Sequence, residues 1–133
     1  MKLLAFVCER SALRAVEEAK TRGSWPQGWE LAPVPCSGRV DILHVTGALT
    51  RGYAGVMVVG CFEEACEFLQ GNLAAGRRIE YLRGLLKEAG VDPRRVRLEF
   101  ASPAGAARLA RAAREMRQQV DAIGKGDGHE GGG

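Results

Sequence analysis

Two stretches of the chain are apolar at nearly every position and no longer than a strand: Lys2 to Cys8 (KLLAFVC) and Ala54 to Cys61 (AGVMVVGC). A strand with one face in water alternates polar and apolar residues. An uninterrupted run needs both faces covered, as in the interior of a parallel sheet. Parallel neighbours cannot be joined by a tight hairpin and require crossovers, usually helical. The intervening segments have that pattern. From Ser11, an N-cap, the residues Ala12, Ala15, Val16 and Ala19 recur at helical period, and Gly23 stops the run. Val40 to Arg51 reads as a second helix with Gly52 behind it, although Gly47 lowers its propensity. Glu63 to Leu69 reads as a short helix broken by Gly71-Asn72. Arg77 to Ala89 reads as another, with Ile79, Leu82, Leu85, Leu86 and Ala89 on one side and Gly90 at its end. The last runs from Pro103 to Ile123, with Leu109, Ala113, Met116, Val120 and Ile123 inward.

Two further strands complete the set. Glu30 to Cys36 (ELAPVPC) follows a turn at residues 25–29, and its two prolines mark it as an edge. Val96 to Ala101 (VRLEFA) follows Asp92-Pro93. Strands alternating with helices through short, right-handed connections predict an α/β fold, a flavodoxin-like three-layer sandwich with a four-stranded parallel sheet of order 2-1-3-4. A chain of 133 residues suits one domain, assigned to residues 1–123. Residues 124–133 hold six glycines and no large apolar side chain, which predicts a flexible tail. Trp25 and Trp29 are expected to cap the core near the second strand.

Charge narrows the partners. The 19 basic and 16 acidic residues are interspersed, so no dedicated nucleic-acid surface is predicted. Arg94, Arg95 and Arg97 form a local basic run without stacking aromatics and are expected to face solvent or a partner. No apolar run of about 18 residues exists, so no membrane insertion is expected. The apolar start is interrupted at Glu9 and Arg10, too early for a signal peptide, which predicts a cytoplasmic protein. In a reducing compartment four cysteines read as metal or redox ligands rather than disulfides.

Cys8, Cys36 and Cys61 each end a predicted strand, and the order 2-1-3-4 makes those strands neighbours. Parallel strands end on one edge, the edge at which open α/β sheets bind ligands. Cys66 follows Cys61 by five residues and can return to it. Four thiolates there suit a tetrahedral zinc or an iron-sulfur cluster, and spacing alone does not choose, since the chain has no CxxC pair. Arg39 is placed to favour the charge of thiolates, as are helix N-termini. Individually, each cysteine also fits the reading of a small buried hydrophobe.

The residues Phe6-Val7-Cys8, Val34-Pro35-Cys36-Ser37-Gly38-Arg39, Gly55-Val56, Val59-Gly60-Cys61-x4-Cys66, Gly71-Asn72, Arg77-Arg78 and Leu98-Glu99-Phe100-Ala101-Ser102 resemble the delta subunit of methyl-viologen-reducing hydrogenase, from about residue 2 to residue 120. The resemblance implies a 2Fe-2S cluster on Cys8, Cys36, Cys61 and Cys66. It also implies a role relaying electrons between a hydrogenase or formate dehydrogenase module and the flavin-containing subunit of a heterodisulfide-reductase-like complex. Two departures from the family stand out. Ser11 occupies the second position of the CxxC that usually follows strand one, leaving four cysteines, one from each family segment. Phe62 and Glu67-Phe68 replace histidine and His-Tyr, which bears on the partner surface and on the potential set by polarity near the sulfurs.

Two other readings compete. Cys8-x5-Arg14 between a strand and a helix has the form of the nucleophile loop of low-molecular-weight phosphatases and arsenate reductases. Its loop lacks glycine, carries Glu9, and finds its candidate acid, Asp92, before strand four and so on the opposite edge. The other is a structural zinc or interaction module. His129 lies in the tail, and His44 reads as a helix-surface or partly buried residue, so neither is expected to be a ligand.

Overall fold

The computed structural model describes residues 2–9, 12–35, 40, 42–60, 69–101 and 104–129. The elements are β1 (Leu3–Cys8), α1 (Ala12–Thr21), β2 (Trp29–Val34), α2 (Ile42–Thr50), β3 (Gly55–Gly60), α3 (Leu69–Glu88), a 3-10 turn (Pro93–Arg95), β4 (Val96–Phe100) and α4 (Ala106–His129). The sheet is parallel throughout, with order β2-β1-β3-β4. This is the flavodoxin-like order expected, with the proline-bearing β2 at one edge.

The two central strands, β1 and β3, are buried along their whole length, as their unbroken apolar composition demands. Their side chains alternate between two layers. Leu3, Ala5, Val7, Met57 and Val59 pack against Ala12, Ala15 and Val16 of α1 and Leu109, Ala113, Met116 and Val120 of α4. On the other face Leu4, Phe6, Val56 and Val58 meet Val45 and Ala48 of α2 and Ile79, Leu82 and Leu86 of α3. Each buried Val or Leu contributes about 1.5–3 kcal/mol over its exposed state. Leu85, expected inward, is 40% exposed, one position off the buried stripe. Trp25 and Trp29 pack on the α1/α4 layer with ring centroids 6.1 Å apart.

Three helices stop in the same way. After α1, Ser24 N–H donates to Ala19 and Gly23 N–H to Lys20. After α2, Tyr53 donates to Ala48 and Gly52 to Leu49. After α3, Val91 donates to Leu86 and Gly90 to Lys87. These are Schellman closures with glycine in the left-handed region, at φ of 73°, 103° and 81°. Gly55 serves a different need, because a Cβ there would lie 3.0 Å from Leu3 Cδ2 and 3.1 Å from both Met116 Cε and Val120 Cγ2. Its bare backbone lets α4 lie close on β3.

Several boundaries differ from the sequence reading. α3 runs unbroken through Gly71-Asn72, since extending an existing helix gains a hydrogen bond per residue that offsets a propensity cost of about 1 kcal/mol for glycine. The same cooperativity carries α4 to His129, six residues into the segment expected as a flexible tail. Asp92-Pro93 opens a 3-10 turn, with Asp92 accepting from Arg94 N–H as its N-cap. The expected basic run is engaged within the chain. Arg94 pairs with Asp92 at 2.7 Å, Arg95 donates to the Ala54 carbonyl at 2.8 Å, and Arg97 pairs with Glu99 at 2.7 Å. The short helix read at Glu63 to Leu69 lies outside the described residues except for Leu69.

Candidate functional site

The parallel register brings the C-terminal ends of β1, β2 and β3 to one edge. Cys8, the last residue of β1, is paired with Val34, the last of β2, and Val7 with Val59 of β3. Main-chain bonds bind the chain just past these ends. Glu9 N–H donates to the Val34 carbonyl and Ala101 N–H to the Gly60 carbonyl, both at 2.8 Å. The strand order reverses between β1 and β3, so the edge includes the crevice that open α/β sheets use for ligands.

Cys8 is 1% exposed and belongs to the apolar layer of Val7, Ala12, Val59 and Ala101. Its Sγ lies 3.8 Å from the Pro35 carbonyl, to which the thiol donates. Pro35 immediately precedes Cys36, and Gly60 immediately precedes Cys61. Consecutive Cα atoms are about 3.8 Å apart, so the chain enters both cysteines from the edge where Cys8 stands. Cys36, Cys61 and Cys66 themselves, with Ser11 and Arg39, lie outside the described residues. Among the described residues no group of three or more His, Cys, Asp or Glu is arranged to hold a metal. The described thiol at this edge is that of Cys8, and sulfur is a soft ligand of the kind that binds zinc or iron.

Two other residues lie near this edge. The His44 ring on α2 is exposed and lies 6.1 Å from that of Phe6, two residues before Cys8. Arg78 of α3 donates to the Val40 carbonyl at 3.3 Å, tying α3 to the chain four residues after Cys36. This contact escaped the sequence reading, in which Arg78 figured only within the Arg77-Arg78 pair. Nothing local signals that its partner is 38 residues away.

The geometry disfavours the phosphatase arrangement. A nucleophile must be presented to its substrate, and Cys8 is buried. Asp92 sits at the N-terminal end of β4, at the opposite edge. The side-chain hydrogen bonds from Arg94 hold its carboxyl below the ordinary value, which favours the ionised form over a general acid. The surface grooves at Pro26 and Arg114, at Arg83 and Arg97, and at Lys2 and Tyr53 are lined by other parts of the molecule, without Cys8. No described helix is long and apolar enough to cross a membrane.

Fold and edge together define an open parallel α/β domain with a buried thiol at its strand switch point. Comparison with known proteins gives the particular group: residues 3–124 match the family "Methyl-viologen-reducing hydrogenase, delta subunit", and the chain belongs to it. It is 35% identical over 123 residues to the vhu iron-sulfur subunit of the F420-non-reducing hydrogenase of Methanopyrus kandleri, covering 92% of this chain and 93% of that protein. It is 40% identical over 101 residues to the iron-sulfur subunit of the F420-non-reducing hydrogenase of Archaeoglobus profundus, covering 75% and 74%. It is also 30% identical over 123 residues, 92% of this chain, to 16% of a larger protein of Methanosarcina acetivorans, a subunit of its Ferredoxin/F(420)H(2)-dependent CoB-CoM heterodisulfide reductase.

Proposed function

We propose that this chain is a 2Fe-2S electron-transfer subunit whose cluster is held by Cys8, Cys36, Cys61 and Cys66. In this reading residues 1–123 form a single iron-sulfur-binding domain. The observation that carries the reading is the position of Cys8 on the edge from which the chain passes into Cys36 and Cys61. Family membership supports iron-sulfur over zinc, since relatives that match 75% and 92% of the chain are named iron-sulfur subunits. A cluster would supply reversible one-electron transfer. The chain's own contribution is to hold the Cys8 sulfur in an apolar layer away from water and to fix β1 against β2 through the Glu9 to Val34 bond.

The relatives also suggest the partners. One group bears hydrogenase names, and two heterodisulfide reductase proteins each contain a segment like this chain. We infer that the chain docks between an upstream hydrogenase, formate dehydrogenase or similar module and the flavin subunit of a heterodisulfide-reductase-like complex. A site of four thiols operates in a reducing compartment, which favours the cytoplasm. The test is anaerobic purification followed by iron, sulfide and zinc analysis and EPR of the dithionite-reduced protein. Two irons and two sulfides per chain with a reduced-state EPR signal are expected. Stoichiometric zinc without iron would sink the electron-transfer reading.

A further inference from the structure

β4 closes the sheet on one side, and among the described residues it pairs only with β3. Its outer edge opens on a groove of about 470 Å³ between α3 and α4, whose lining includes Arg83, Val96, Arg97, Leu98 and Glu115. Arg83 carries a buried Nε–H with no acceptor among the described residues. The backbone polarity of the edge follows from one bond. Ala101 N–H donates to the Gly60 carbonyl of β3's last residue, so the odd-numbered backbone groups of β4 turn toward β3. Those of Val96, Leu98 and Phe100 turn to the open side. The Val96 N–H is engaged by the Pro93 carbonyl, which leaves the donors of Leu98 and Phe100 facing outward.

The side chains on this edge repeat their own complement. Reading VRLEF outward from Leu98, the neighbours are Arg97 and Glu99, then Val96 and Phe100. Arg97 and Glu99 are on one face, 2.7 Å from each other, with Arg97 also 3.5 Å from Glu115 of α4. Val96 and Leu98 are on the other, against the α2/α3 layer.

We propose that a second copy of this chain pairs with this edge, β4 against β4 and antiparallel, about a two-fold axis at Leu98. In that register Leu98 opposes Leu98 of the second copy, Val96 opposes Phe100, and Arg97 opposes Glu99 in both directions. Every opposed pair is then apolar with apolar or positive with negative, the pairings that stabilise neighbouring strands. Leu98 exchanges both main-chain bonds with its counterpart, and each Phe100 N–H donates to the opposed Val96 carbonyl. An axis at Arg97 would set arginine against arginine, and one at Glu99 glutamate against glutamate. Two-fold symmetry supplies the reciprocal charges automatically, which an unrelated strand does not. The inference is independent of what the cysteines hold.

The test is sedimentation equilibrium of the full chain, with far-UV circular dichroism as the check on folding. Dimerisation with a Kd below about 100 μM is expected. R97E or E99R alone sets like charges at both symmetric positions and weakens dimerisation by about tenfold or more, whereas the double variant R97E/E99R restores it. Mixing the two single variants yields a heterodimer, because each carries the charge that the other lacks. A wild-type chain that stays monomeric at about 100 μM overturns the proposal. So do single variants that dimerise like the parent, or a folded double variant that does not dimerise. Should a single variant fail to fold, the double variant still decides the outcome, since it preserves composition and charge balance.

Discussion

Replacing Gly55 with alanine tests the close approach of α4 to the sheet. The new methyl carbon would meet Leu3 Cδ2 at 3.0 Å and Met116 Cε and Val120 Cγ2 at 3.1 Å. Ordinary van der Waals contact needs several tenths of an ångström more at each. Leu3, Met116 and Val120 are all 0% exposed, so none can turn into solvent to make room. Overpacking of such a core costs about 1–3 kcal/mol, against about 0.4–1 kcal/mol gained from a stiffer unfolded chain. The net expectation is a loss of roughly 0.5–2 kcal/mol, a urea midpoint lower by about 0.3–1 M at the slopes typical of small domains. Gly84→Ala is the matched control. Gly84 is exposed within α3 and a Cβ there meets nothing within 4 Å, so alanine should stabilise the fold through helix propensity by up to about 1 kcal/mol and raise the midpoint. Equal stabilisation by both substitutions would refute the packing argument for Gly55, since the unfolded-chain term alone would then explain the data.

Two further predictions concern the site and the opposite edge. Cys8→Ser keeps a donor for the Pro35 carbonyl but replaces a thiolate ligand, so the folded variant should lose most of its iron and sulfide or show an altered EPR spectrum; full content with an unchanged spectrum would remove Cys8 from the ligand set. The Asp92 carboxyl is held below its ordinary value, chiefly by the side-chain hydrogen bonds of Arg94, so the stability it contributes is complete above the unfolded value near pH 4 and is lost as pH falls through the folded one. Asp92→Asn retains an oxygen for the cap, should cost under about 1 kcal/mol at pH 7, and should flatten the acid side of a thermal-stability profile; an unchanged acid slope counts against the pairing.

The central strands were legible because a run apolar on both faces leaves a chain few choices, and Pro33 within β2, with Pro35 just past it, put that strand at the edge. The helix stops were legible as well, since Gly23, Gly52 and Gly90 occupy backbone conformations that other residues resist. What escaped was cooperative or distant. Gly71-Asn72 weakens a helix locally, but twenty residues of continuous hydrogen bonding outweigh it. Arg95 reads as one of a basic run until its partner, the Ala54 carbonyl 41 residues earlier, is seen beside it. At the candidate site, Cys8 stands at the strand end as its sequence position required. The neighbouring ends of β1, β2 and β3 were legible through the parallel topology rather than through any local spacing motif.

The glycine closures also divide the molecule's inheritance. Each of them precedes a strand, so all three lie at the edge opposite Cys8, and the turns that decide whether the helices end correctly share no residue with the sequence that follows Cys8, Pro35 and Gly60. That sequence can be rewritten over evolutionary time without touching the turns that stop these helices. One scaffold can acquire new partners by changing one rim, and an engineer grafting segments onto that rim inherits the same freedom.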